Sequence, residues 1–92
     1  MKIKDFYNGN EYEIESKEMR IVGLNDAAIF VQFKVKSDWE QIRISFDDFK
    51  KVMIDKFPTY WDEYEKSGAD NFGRFFYNYG ETEPHNETYI FK

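Results

Sequence analysis

The first 45 residues alternate between apolar and polar positions. In Glu11-Tyr12-Glu13-Ile14-Glu15, Tyr12 and Ile14 face one way and the glutamates the other, as a half-buried strand requires. The same period of two runs through Ile29, Val31, Phe33 and Val35, with Gln32, Lys34 and Lys36 on the opposite side. It returns at Ile42 and Ile44, with Gln41 and Arg43 facing solvent. Residues 2–7 and Met19–Leu24 supply two further strands. Between the runs lie Asn8-Gly9-Asn10, Asn25-Asp26 and Ser37-Asp38. Asn-Gly is the strongest short hairpin signal, because both of its residues tolerate φ > 0. The pattern predicts an antiparallel meander with one wet face.

The period changes at Ser45. Ser45 followed by Asp48 resembles a capping box, with Asp47 and Asp48 complementing the helix dipole. Phe46, Phe49, Met53 and Phe57 then form an apolar stripe that Lys50, Lys51 and Lys56 avoid, and Pro58 is expected to end this helix. Thr59 is expected to cap a second helix ending at Ser67-Gly68. Asp70 is expected to cap a third, in which Phe72, Phe75, Phe76 and Tyr79 share a face and Gly80 terminates. Gly73 inside that pattern costs about 1 kcal/mol relative to Ala, which points to a neighbouring element packed close against it. A polar loop over residues 81–87 leads to a last strand at 88–91.

Strands in a block followed by helices argue for an α+β fold: an antiparallel sheet of five to six strands, ordered β-β-β-β-β-α-α-α-β, with helices on one face. The chain of 92 residues reads as one domain, with a strand-rich half (1–45), a helical half (46–80), and a loop and final strand (81–92). Aromatic residues make up 21% of it, and large rings can supply a core where aliphatics are scarce. Phe, Tyr, Asn, Ile and Lys together number 41 against 13 for Gly, Ala, Arg and Pro, a balance that suits an AT-rich genome such as that of a low-GC bacterium or its phage.

Composition also removes chemistry. Without cysteine there is no disulfide framework, thiolate metal site or Cys nucleophile. His85, the only histidine, has no second ligand at helical spacing, so neither a zinc site nor a Ser-His-Asp arrangement is expected. The neighbouring carboxylates Asp47/Asp48, Glu63/Glu65 and Glu81/Glu83 read as helix-start or solvated acids, and no glycine-rich phosphate loop occurs. The expectation is no enzyme, no cofactor and no metal. Neither a leader-like apolar run nor a membrane-length segment is present, which predicts a cytoplasmic protein.

Charge is uneven. Residues 1–58 carry ten Lys and Arg against eleven Asp and Glu, a balance of −1. Residues 59–92 carry Lys66, Arg74 and Lys92 against seven acids, a balance of −4. The acidic part is also rich in rings, more than a core stripe needs. Tyr60, Trp61, Tyr64 and Tyr77 beside Asp62, Glu63, Glu65, Asp70, Glu81 and Glu83 predict a partner-binding surface, since exposed rings carry contact energy and charge steers encounter. The expected partner is a basic protein, with a small acidic inhibitor from a phage or mobile element, imitating nucleic acid before a defence nuclease, as the biological form. The alternative is a self-associating assembly protein, a homodimer joined through the fourth strand's apolar face and the last strand. Direct binding of nucleic acid is not expected at a net charge of −5, with Lys34, Lys36 and Arg43 interleaved with Asp38 and Glu40.

Overall fold

Strand alternation and helix periodicity meet at Ser45, and the chain changes architecture there. The computed structural model describes residues 1–79 and 89–92. Its elements are β1 (Lys2–Lys4), β2 (Glu11–Glu13), β3 (Met19–Leu24), β4 (Ala28–Val35), β5 (Asp38–Ser45), α1 (Phe46–Lys56), α2 (Pro58–Ser67), α3 (Phe72–Tyr77) and β6 (Ile90–Phe91). The fold is α+β and its strands pair antiparallel.

The expected single sheet is divided in two. β1 and β2 form a separate two-stranded sheet, while the main sheet has four strands in the order β5-β4-β3-β6. The reason lies in the first turn, where only Gly9 takes a positive φ (75°), so Asn8-Gly9 is not a two-residue hairpin. Instead the chain from Asp5 to Asn10 folds around the Asp5 carboxylate, which accepts hydrogen bonds from the backbone N–H of Tyr7 (2.8 Å) and Asn8 (3.0 Å). The hairpin then turns Ile3 and Ile14 into the core instead of extending the ladder. The β4–β5 turn is also shifted, from Ser37-Asp38 to Lys36-Ser37, with Lys36 at φ 57°.

In the main sheet Met19, Ile21, Ile29, Val31, Phe33, Ile42, Ile44 and Phe91 point to one side and are at most 2% exposed. The helices cover that side with Phe49, Val52, Met53, Phe57, Trp61 and Phe76, and the terminal strand β6 closes the edge beside β3. The Ser45 hydroxyl accepts from the Asp48 N–H (3.1 Å), the expected cap. Two other caps are corrected. Pro58 opens α2 rather than merely ending α1, because a proline at the first helical position lacks only an N–H that would have no partner there. Phe57 therefore caps both helices, and Thr59 caps neither. The α3 cap is Asn71, whose Oδ1 accepts from the Arg74 N–H (3.0 Å), and not Asp70. Gly73 stays within α3, and a Cβ there would lie 2.8 Å from Cε1 of Phe46, the close packing its sequence position implied. The Gly80 terminus and the loop over 81–87 lie outside the described residues.

Candidate functional site

On α2 a helical turn places Trp61 inward, and it is 8% exposed, packed against Tyr64 (ring centroids 5.0 Å), Phe72 (5.5 Å) and Phe76 (6.0 Å). Tyr60 is half-buried against Phe91 and Tyr79, and Tyr64 against Phe75. Tyr77 alone of the four is exposed, at 47%. Most of the ring surplus has thus gone into the core. The described α2 and α3 helices are short, so each turn of rings reaches inward to fill volume that aliphatic residues would occupy in a larger domain.

The acids behave differently. Asp62, Glu63, Glu65 and Asp70 are all exposed, and none is ion-paired among the described residues. Glu81 and Glu83 lie outside those residues. Glu63 accepts a hydrogen bond from the Tyr79 hydroxyl, which with burial and the carboxylate charge raises the phenol far above its ordinary range. Nearby, the Tyr60 and Tyr89 hydroxyls are 3.2 Å apart. That hydrogen bond, then burial, pushes Tyr89 up to about 12. Tyr79 and Tyr89 therefore stay protonated at neutral pH, and their hydroxyls tie α2 to the residues just after α3 and just before β6.

Asp70 also rims an open groove of about 340 Å³ between α3 and the β3–β4 turn, with Asp26 and Arg74 beside it and Leu24, Phe46 and Phe72 in its wall. The groove can take a side chain with an apolar stem and a cationic head, since such residues bury the stem and keep the charge in reach of carboxylates. Among the described residues there is no cluster of His, Asp and Glu able to hold a metal ion.

The feature sequence reasoning missed is Asp5, at 2% exposure. Besides its own loop, its Oδ2 accepts from the Arg43 N–H (3.0 Å), and the Arg43 guanidinium lies 3.3 Å from Oδ1. Burial alone would push this carboxyl up. The hydrogen bonds from Arg43, Asn8 and Tyr7 outweigh it and hold the carboxyl below its ordinary value. Phe6 N–H also donates to the Arg43 carbonyl (2.6 Å), so the loop is seated on the outer edge of β5. The available signal was phase: Ile3 is inward, and two residues on Asp5 is inward too.

The four-stranded sheet has a second side. Residues opposite one another across strands share a face, so Arg20 with Gln32, Gln32 with Gln41, Lys34 with Trp39, and Phe30 with Arg43 stand on the side away from the helices. The Arg20 guanidinium lies 4.2 Å from the Trp39 ring centroid and the Lys34 ammonium 5.1 Å. Tyr7 reaches over from the hairpin loop to Phe30 (6.3 Å) and beneath Arg43 (4.8 Å).

No family model, no curated protein and no solved structure matches this chain. Among the described residues no helix is long and apolar enough to cross a membrane.

Proposed function

We propose that this chain is a non-enzymatic protein-binding module whose acidic helical surface docks onto a basic, nucleic-acid-handling protein. The reading is carried by the state of Asp62, Glu63, Glu65 and Asp70, which are exposed and without ion-pair partners among the described residues. Carboxylates in such a series present the charge that phosphates present to a basic channel, and they steer encounter over a distance set by salt. Exposed Tyr77 and the Asp26–Asp70 groove add contact area for an inserted arginine or lysine. An inhibitor carried by a phage or mobile element, acting on a defence nuclease in the cytoplasm, is the biological form that the AT-rich composition supports.

Self-association is the competing reading. On the apolar face of β4 the helices enclose Ile29, Val31 and Phe33, each at most 1% exposed, so Val35, 45% exposed, and the edge strand β6 are what remains for a second copy to pair with. The test is co-purification on the tagged chain at low and high salt, with D62K/E63K/E65K as the comparison. The expected result is a basic protein that the parent chain retains at low salt, that heparin displaces, and that the variant does not retain. Equal retention by both chains, or no retained protein, would overturn the proposal.

A further inference from the structure

The open face of the main sheet has the opposite charge to the rest of the molecule. Asp38 and Glu40, which alternate in sequence with the basic residues, pair with Val35 and Phe33 and therefore stand on the helix-covered side. Glu40 in fact lines a crevice there with Phe33 and Ile42. On the open side β3 to β6 present Arg20, Lys34 and Arg43 and no carboxylate. Glu18, whose carbonyl accepts from the Lys34 N–H, stands at the rim, and Asp5 is buried beside Arg43. The net charge of −5 is thus a poor guide to this surface.

We propose that this face binds single-stranded nucleic acid, an activity that goes beyond the acidic-surface reading and does not rest on it. Arg20 and Lys34, on adjacent strands, can each neutralise a phosphate, while the charge of Arg43 is met by the Asp5 carboxylate. Between them lie rings on which bases of any sequence can stack: the half-buried Trp39 indole, and Tyr7, which is 49% exposed. The cations are also held in place. Arg20 Nε donates to Gln32 Oε1 (2.7 Å) and Gln32 Nε2 donates to Gln41 Oε1 (3.0 Å), which leaves the exposed Gln41 amide N–H groups for a base edge. A Cβ at Gly23 would meet the Phe30 ring at 3.0 Å, so glycine there lets that ring lie close against the sheet. An acidic peptide would use the cations and leave the rings and amides idle, so nucleic acid accounts for more of the surface.

The experiment titrates a labelled oligothymidylate and an oligouridylate of about 15 nucleotides with the full chain, reading anisotropy and Trp emission. Between about 50 and 200 mM salt, two neutralised phosphates give a slope of log K against log salt of about −1.4, at about 0.7 per contact. R20Q and K34Q should each flatten the slope by about 0.7 under conditions where circular dichroism shows each variant folded. W39A should weaken binding by roughly tenfold, and W39F should abolish the emission change, because Trp61 is buried on the other side. Absence of binding at the lowest salt overturns the proposal, as does a parent-like slope in an R20Q/K34Q double variant that remains folded. Salt-sensitive assembly without oligonucleotide, lost in D62K/E63K/E65K, would assign the face to a second copy's acidic helices and overturn it equally.

Discussion

Asp5 holds the hairpin loop to a residue 38 positions away, and both ends of that contact depend on a charged carboxylate. Asp5→Asn removes the charge and sets an amide N–H₂ against the Arg43 donors. We expect a loss of about 1–3 kcal/mol, read as a lower urea midpoint, since hydrogen bonds to charged groups exceed neutral ones. The native carboxyl lies below its unfolded value of 3.8, so its contribution is complete above that value and is lost as pH falls through the depressed native one. Acid unfolding of Asp5→Asn should therefore be the less steep of the two. Tyr89 runs the other way. Its phenol is raised from 10.0 to about 12, so its contribution is complete below the lower value and disappears as pH rises between them. Phenolate absorbance should show Tyr89 ionising at about 12, and Tyr89→Phe should remove that step while leaving the still later one of Tyr79. Asp5 was hard to see in sequence because an acid before Asn8-Gly9 reads as turn chemistry. Only the return of β5 supplies Arg43.

Among the elements, β3, β4, β5 and α1 were legible because each carries several residues of one period, and burial then follows the pattern: Ile29, Val31 and Phe33 lie inside. The α2 and α3 boundaries were less so. Several residues in 57–59 and 70–71 can cap a helix, and the choice rests on which backbone N–H groups the neighbouring turn leaves unpartnered. Gly73 is the exception, since glycine inside a helical stripe signals close approach even without a view of Phe46. Gly73→Ala gains about 1 kcal/mol in helix propensity and loses about 1–3 kcal/mol by driving a Cβ into that ring. We expect a net loss of about 1 kcal/mol and a lower thermal midpoint, partly restored by Phe46→Leu, which removes the ring.

At the scale of the whole molecule, stability is held by a ring cluster that gathers distant segments. Phe91 is 1% exposed and meets Phe57, Tyr60, Phe76 and Tyr79, while its strand pairs with β3. A domain of this length holds about 5–14 kcal/mol in total, and truncating a buried Phe costs about 3–5 kcal/mol. Phe91→Ala should therefore leave a measurably unfolded fraction at moderate temperature, seen as lost near-ultraviolet dichroism. Tyr77→Ala on the exposed rim should change little. The sequence by itself determined the α+β class, the strand phases, the long helix and the acidic bias of the second half, because these follow from local periodicity and composition. The tertiary structure decided where the hairpin leaves the sheet, that the Trp61 ring belongs to the core, and that Arg20, Lys34 and Arg43, each from a different strand, come together on one face. Those outcomes depend on register between strands and on contacts between residues far apart in the chain, which no local pattern encodes.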